Sequence, residues 1–418
     1  MYELTGPPNP ALARLRSTRS ATFRRPGGGK LKTLKGFDTQ PRPRVRAARR
    51  GDTMSKNPVP WPIEPHTIAK HALYRQYFTK WFPIMAQGFG GNVTYAEGFS
   101  GPGVYTNGSP GSPVIALRTL IEDDKNRRRY HKMRLLFVDH DERCITLLRE
   151  RMTVAAQPVA LEDLSNYGID LDVRHGACVP TLENLLDEHK AWGRPMLVVL
   201  DTWGGGVPLD LVRRIARNPH SEVLITIQPQ YFARFAEVDS IAHGDDVFGG
   251  KTWRQVSELP ADAKARWVIE HYRDVIREAG FGSILDFELI DNRGQALYLV
   301  FGTDHRRGLQ KMKEAMWEVD DVAGCGYRDP RDPDQQTLEF VFEPNTAPLQ
   351  RLLLDELRRA GSTGRSVMQL REFALYQTVF KESQVLPGLE ALLESVAIET
   401  NEPGRMRLNS SVRVFQQC

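Results

Sequence analysis

The run Glu97-Gly98-Phe99-Ser100-Gly101-Pro102-Gly103 directly follows a short apolar segment at 93–97. Because glycine has no Cβ, a glycine-rich turn lets the backbone approach a ligand closely. Open α/β sheets bind nucleotides at such turns, in the crevice at the carboxyl ends of their strands. We therefore predict a ligand-binding loop shaped by Glu97, Gly98, Gly101 and Gly103, with a tight structural turn as the alternative.

The glycine spacing differs from the dinucleotide fingerprint. With Gly101 and Gly103 as the first two glycines, the third position holds Thr106. The next helix start is Ser112-Pro113, where we predict Ser112 as the N-cap. That distance argues against a pyrophosphate held on a helix N-terminus, so a nicotinamide dehydrogenase is a weak interpretation.

Strands and helices alternate after this loop, which predicts a parallel, doubly wound sheet. A mostly helical insertion at 231–280 interrupts the alternation, and a hairpin around Asn292-Arg293-Gly294 follows it. An antiparallel hairpin that closes a parallel sheet is typical of an S-adenosylmethionine methyltransferase-type Rossmann domain. We assign residues 60–328 to this α/β domain. The other apolar strand segments lie at 133–138, 171–174, 196–200 and 222–227.

A small C-terminal domain, residues 337–418, is predicted beyond an Asp/Pro-rich linker at 329–336. Three apolar helix faces, a capping box at Ser366 and Gln369, and a hairpin of strands 397–400 and 405–408 favour a winged helix. Its third helix has two glutamates and no Lys or Arg. Because major-groove reading needs basic and amide side chains, we expect this domain to bind protein or to cover the site.

The chain has 418 residues and four cysteines, with no CxxC pair, which argues against a metal site and favours a reduced, cytoplasmic compartment. No stretch approaches the length of a membrane span. Residues 1–53 carry net charge +10 against −6 for the remainder. This segment is predicted as a disordered basic tail, read either as a nucleic-acid-binding arm or as sequence upstream of a true start at Met54.

Two further strand ends carry candidate cofactor residues. Asp139 ends the second predicted strand, where an acid can accept hydrogen bonds from both ribose hydroxyls; Asp141 and Glu142 nearby are alternatives that would stabilise a helix N-terminus. Cys178 ends the third strand, where the adenine of a cofactor would lie. A plain strand end is the other interpretation of Cys178.

The fourth strand ends at Asp201-Thr202-Trp203-Gly204, the position of the acceptor site in such folds. Amino-methyltransferases place an acid or Asn, two prolines and an aromatic residue there, so that oxygens hold the target amine and the ring stacks on the base. Asp201 and Trp203 are the candidate catalytic residues, although the paired prolines are missing. The alternative is a packed tryptophan beside a glycine loop. Basic clusters at 125–134 and 305–313 are interpreted as solvated surface at the opposite end of the sheet.

Taken together, the segments 70–82, 95–105 and 111–113, the run Asp201-Thr202-Trp203-Gly204 and the segment 298–317 resemble the three-Cys-motif partner family. The resemblance spans roughly residues 60–415. It implies a methyltransferase-like core that binds S-adenosylmethionine and works with a separate three-cysteine, iron–sulfur, radical-type protein. The family pattern has Asp-Pro-Phe-Gly where this chain has Asp201-Thr202-Trp203-Gly204.

Two functions follow as hypotheses. The first is a methyltransferase that acts on a nucleic-acid base or another nucleophile, with Glu97, Gly98, Gly101 and Gly103 around the cofactor and Asp139 on its ribose. The second is a Rossmann scaffold that binds or regulates the three-cysteine partner without turnover. The altered acceptor motif and the missing acid after the third strand motivate the second hypothesis.

Overall fold

The computed structural model describes residues 58–238, 243–328, 346–401 and 406–415. The predicted basic tail (1–53) and the predicted linker (329–336) lie outside the described residues. All the candidate site residues named above lie within them.

Eight strands form one sheet in the order β3-β2-β1-β4-β5-β7-β6-β8. Strands β1 to β5 are parallel, and β7 runs antiparallel between β5 and β6. The short β8 is parallel to β6. The bounds are β1 Asn92–Glu97, β2 Lys132–Asp139, β3 Ile169–His175, β4 Met196–Leu200, β5 Ser221–Ile227, β6 Ser283–Ile290, β7 Ala296–Thr303 and β8 Gly326–Arg328.

This strand order, with one reversed strand between two others, confirms the methyltransferase-type Rossmann sheet predicted from the sequence. The order reverses between β1 and β4, and a crevice opens at the carboxyl ends of the strands on either side of such a reversal. The ligand loop after β1 and the acceptor motif after β4 therefore lie side by side, because β1 and β4 are hydrogen-bonded neighbours.

Helices cover both faces of the sheet. They are α1 Pro65–Gly88, α2 Ser112–Glu122, α3 Glu142–Ala156, α4 Cys178–Glu188, α5 Leu209–Ala216, α6 Pro229–Phe235, α7 His243–Phe248, α8 Ala261–Ala279 and α9 Arg306–Val319. Strand β4 (Met-Leu-Val-Val-Leu) is buried at every residue. Its alternate side chains enter two cores: Leu197 and Val199 pack with α1, α2, α3 and α9, whereas Met196, Val198 and Leu200 pack with α4, α5 and α8.

The C-terminal part contains α10 Ala347–Ala360, β9 Arg365–Ser366, α11 Val367–Gln377, α12 Val385–Glu394, β10 Ile398–Thr400 and β11 Ser411–Val414. The three strands form a small antiparallel sheet in the order β10-β11-β9. The predicted capping box at Ser366 and Gln369 is present. That the C-terminal part is a winged-helix domain remains a prediction.

The second strand of the predicted hairpin was placed wrongly. Strand β10 pairs with Ser411–Val414, not with 405–408. Val412 and Val414 alternate with polar residues, as in a strand with one buried face. Met406 and Leu408 instead lie in an irregular turn, which is closed by hydrogen bonds between Arg407 and Ser410. The Pro403-Gly404 pair suggested a shorter connection than the chain uses.

Candidate active site

The glycine loop after β1 is closed by Asp139 at the end of β2. One carboxylate oxygen of Asp139 accepts the Gly101 N–H at 2.8 Å, and the other accepts the Asp141 N–H at 2.9 Å. Gly101 has φ +63°, a conformation that glycine adopts without strain. Each carboxylate oxygen keeps a second lone pair, so Asp139 retains acceptor capacity for ribose hydroxyls while it holds the loop.

The glycines of the loop differ in what they approach. A Cβ at Gly98 would lie 2.4 Å from Cys178 Sγ, and one at Gly103 would lie 2.6 Å from Leu148 Cδ1. Protein atoms therefore fill the space beside these two residues. A Cβ at Gly101 would meet only the Trp61 ring, at 3.6 Å, so Gly101 is the glycine with room beside it for a ligand.

Cys178 lies beside the loop at the start of α4. Burial raises the pKa of its thiol to about 12. The thiol is therefore protonated near neutral pH, which makes it a packing group beside Gly98 rather than a nucleophile. Cys178 lies at the strand end where we predicted the adenine of the cofactor.

Glu97, the last residue of β1, is buried beneath the loop. Its oxygens accept hydrogen bonds from the Tyr95 hydroxyl at 2.7 Å and the Ser112 hydroxyl at 2.8 Å. Burial raises the pKa of Glu97 to about 8, although both hydrogen bonds act in the opposite direction. The predicted N-cap role of Ser112 is wrong: Gly111 precedes the helix, and the Ser112 hydroxyl is turned towards this buried acid.

Asp201, at the end of β4, forms a buried ion pair with Lys70 of α1. Burial alone would raise the pKa of Asp201, but the Lys70 ammonium offsets this and holds it below its usual range. The carboxylate is therefore ionised. Thr226 of β5 also contributes a hydrogen bond that favours the ionised form.

Trp203 lies two residues beyond Asp201 and is 61% exposed, with φ +57°. Its ring meets the Trp61 ring edge-on at a centroid distance of 5.7 Å. Trp61 in turn covers Gly101, and its carbonyl accepts the Thr106 N–H at 3.1 Å. The segment before α1 therefore crosses the glycine loop and meets the acceptor motif, which joins the two halves of the crevice.

Lys70 and His71 are site residues that the sequence reasoning missed. A lysine on an amphipathic helix is usually solvated, yet Lys70 is only 7% exposed. It lies four residues before Tyr74, so it shares the buried face of the helix, and that spacing was the available signal. Burial, strengthened by the Lys70 charge, lowers the pKa of His71 to about 3, so its ring is neutral.

Several buried polar atoms around this crevice have no hydrogen-bond partner among the described residues. They are Ser100 Oγ, Tyr74 Oη, His71 Nδ1 and Trp61 Nε1. Folded proteins satisfy most such groups, so their presence here fits a polar ligand. No group of His, Cys, Asp and Glu within the described ranges is suited to hold a metal ion.

The crevice combines an acid at the end of β2, a glycine loop after β1 and an acid–aromatic pair after β4. The chain has a methyltransferase-type Rossmann fold. No protein-family profile and no curated protein matches its sequence.

Solved structures are similar only at low identity. Trm1 from Pyrococcus horikoshii, in complex with S-adenosyl-L-methionine, matches 82% of this chain and 90% of its own, at 8% identity and TM-score 0.32. Protein LPL1258 from Legionella pneumophila matches 57% and 85% at 14% identity and TM-score 0.32. Spermidine synthase from Thermotoga maritima matches 66% and 72% at 7% identity and TM-score 0.31. Similarity at this level carries no argument about activity.

Across 58–238, 243–328, 346–401 and 406–415, no helix has both the length and the apolar character needed to cross a bilayer.

Proposed function

We propose that this chain is an S-adenosylmethionine-dependent methyltransferase whose acceptor is held between Asp201 and Trp203. The observation that carries the proposal is the buried Lys70–Asp201 ion pair at the end of β4, beside the loop that Asp139 holds. An ionised carboxylate, kept so by a neighbouring cation, is a strong acceptor for an acidic N–H or O–H hydrogen.

The cofactor would be held by residues of the first two strand ends. Asp139 would accept the ribose hydroxyls, and Gly101 would let the cofactor approach the loop backbone. The unpartnered Ser100 and Tyr74 hydroxyls would supply further polar contacts. S-adenosylmethionine brings a methyl group on a sulfonium that is already activated for transfer, so alignment is the main task of the protein.

The acceptor residues have distinct tasks. Asp201 would hold and orient the nucleophile, and Lys70 keeps Asp201 ionised and fixes its position. The exposed face of Trp203 suits stacking on a planar acceptor, and a nucleic-acid base is the candidate that this pairing favours. Because its pKa is low, Asp201 is suited to accept a hydrogen bond rather than to take a proton permanently.

The test compares Asp201→Asn with the native chain, using labelled S-adenosylmethionine and total cellular RNA as the acceptor. Asn keeps the shape of the side chain but removes the charge. We expect methyl incorporation to fall by about 100-fold or more with cofactor affinity unchanged. Unchanged incorporation would remove Asp201 from the proposed site.

A second candidate function is a scaffold that binds the three-cysteine, radical-type protein without methyl transfer. It is favoured by Cys178, a buried thiol where many such enzymes carry an acid, and by Asp201 already being paired with Lys70. Co-purification with a three-cysteine protein, together with no methyl transfer by either protein alone, would support it. Methyl transfer by the isolated chain would refute it.

A further inference from the structure

Basic side chains lie close together at the end of the sheet opposite the crevice. Six of them, which we call the basic edge, are exposed: Arg128, Lys132, Lys190, Arg194, Arg217 and Arg307. They lie far apart in the sequence: before and at the start of β2, before β4, before β5, and in the first turn of α9 after β7. Only the fold brings them together, so the edge is not a single charged run.

The strand registers place these loops at one level. Asn92 of β1 pairs with Lys132, and Thr94 pairs with Met196, so Arg194 lies level with Lys132 across β1. Met196 pairs with Ser221, which puts Arg217 just below the next strand. With neighbouring strands about 4.8 Å apart, the edge from β2 to β7 is about 20 Å long.

The basic side chains of this edge are not directly paired with acids among the described residues. None of the six basic side chains has an ion pair or hydrogen bond to a carboxylate in the described part of the chain. Three acids of the same region are ion-paired with other arginines: Asp124 with Arg127, Asp187 with Arg214 and Glu188 with Arg174. Asp123 and Asp304 accept hydrogen bonds from the neutral Tyr130 hydroxyl and Gly282 N–H and keep their charge. The remaining positive charge stands out because residues 54–418 carry net charge −6.

Aromatic rings lie between the basic groups. The Phe89 and His220 rings are 4.5 Å apart, and the His220 and His305 rings are 5.9 Å apart. These contacts run from the start of β1 across β5 to the end of β7. Single-stranded nucleic acids bind surfaces on which cations meet the phosphates and rings meet the bases. The His220 ring is exposed, and the Phe89 and His305 rings are half-buried. An acidic protein segment would use the cations without stacking on these rings.

We propose that the basic edge binds the phosphate backbone of a single-stranded nucleic acid. The proposal goes beyond methyl transfer and does not depend on it, because the edge lies roughly 20 Å from Asp201, at the opposite end of the strands. Arginine supplies most of the cations, and its planar donor group suits phosphate oxygens. The role is to hold a strand, which adds affinity without reading its sequence.

The experiment measures fluorescence anisotropy of a labelled oligo(U) RNA of about 20 nucleotides, titrated with the full chain. A charge-reversed variant, Arg128→Glu/Arg194→Glu/Arg217→Glu, tests the edge. A matched control, Lys251→Glu/Arg351→Glu/Arg407→Glu, makes the same change in net charge at three exposed positions outside the basic edge. The basic N-terminal segment is present in all three proteins, so any difference reports on the edge.

We expect the edge variant to bind at least about tenfold more weakly and the control to stay within about twofold. Between about 50 and 200 mM KCl, the slope of log K against log salt should fall by about 2 in the edge variant, since each phosphate contact on a single strand contributes about 0.7. If the edge variant does not fold, Arg128→Gln/Arg194→Gln/Arg217→Gln replaces it, with a smaller loss expected.

Three results would overturn the proposal. One is equal weakening in both variants, which would assign binding to overall charge. Another is no weakening in either. The third is displacement of the RNA by poly-glutamate as effectively as by unlabelled oligo(U) at equal charge, which would assign the edge to acidic proteins.

Discussion

Two buried lysines stabilise this protein in different ways. Lys70 has one charged partner, the Asp201 side chain, at the mouth of the crevice. Lys313 of α9 is 1% exposed, and its Nζ lies within hydrogen-bond distance of four backbone carbonyls of the C-terminal part. Those acceptors are Ala374 O at 2.9 Å, Leu375 O at 2.5 Å, Thr378 O at 2.7 Å and Phe380 O at 3.2 Å.

The carbonyls around Lys313 lie at and just after the C-terminus of α11. The last carbonyls of a helix have no partner within it, and they carry the negative end of its dipole. Lys313 satisfies them from the Rossmann domain, and Trp317 adds a hydrogen bond from its ring to the Val379 carbonyl at 2.9 Å. Lys313 thus fixes the C-terminal part to the core.

The difference between the partners separates the two roles. Backbone carbonyls are present whatever the side chains are, so the surroundings of Lys313 serve structure alone. A side-chain carboxylate can instead engage a second molecule through its other lone pairs. The different partners therefore support the chemical role proposed for Lys70–Asp201, whereas Lys313 holds the C-terminal part.

The largest effect is expected from removing one member of the Lys70–Asp201 pair. Lys70→Met leaves a buried carboxylate without its cation, and Asp201→Asn leaves a buried cation, so each should lower the free energy of unfolding by about 3–5 kcal/mol. The double variant Lys70→Met/Asp201→Asn should recover most of this loss. Urea unfolding of the four proteins measures the coupling, and simple additivity would refute a coupled pair.

Lys313→Met should lower the free energy of unfolding by about 3 kcal/mol, because carbonyls are left buried without a donor. No second substitution can restore it by removing the partners, in contrast to Lys70. Hydrogen exchange should accelerate first at the Phe380 amide, which donates to Thr378 Oγ1. Unchanged exchange there would mean that Lys313 does not hold the two parts together.

Gly98→Ala should destabilise the chain by about 2 kcal/mol, since its new methyl group would lie 2.4 Å from Cys178 Sγ. Cys178→Ala in the same chain should relieve the overlap and restore most of the stability. Thermal unfolding of the single and double variants decides this. If the double variant is no more stable than Gly98→Ala alone, the close contact is not the cause.

A fourth effect concerns the pH dependence of stability. Burial raises the pKa of Glu97 to about 8 from its ordinary value of 4.5, so the folded state holds a proton that the unfolded state releases. The stability contributed by this group is fully present below pH 4.5 and is lost as the pH rises through 8, by up to about 1.4 kcal/mol per pH unit. Glu97→Gln should remove this part of the slope between those values. Parallel curves for the two proteins would contradict it.

The sheet could be predicted because each strand carries its own signal. The apolar runs ending at Asp139 and Asp201 alternate with amphipathic helices, and the Asn292-Arg293-Gly294 turn marks the reversed strand. These patterns are local, so one sequence is enough to read them.

The lysines could not be assigned in the same way. A lysine on an amphipathic helix is usually solvated, and the partners of Lys70 and Lys313 lie 131 and at least 61 residues away. Ser112 was misread for the same reason: its local sequence suits an N-cap, but a buried acid 15 residues earlier takes its hydroxyl. Long-range polar contacts, rather than periodicity, decided these side chains.

The central claim, that the crevice binds S-adenosylmethionine through Asp139, is tested most directly by calorimetric titration of the full chain with S-adenosylmethionine. Asp139→Asn is the test variant. Asp141→Asn is the control, because Asp141 is a neighbouring acid that instead caps α3 through the Arg143 N–H. We predict micromolar binding by the native chain and the control, and binding weakened by about tenfold or more in Asp139→Asn. No binding by a folded native chain, or equal binding by all three proteins, would contradict the account.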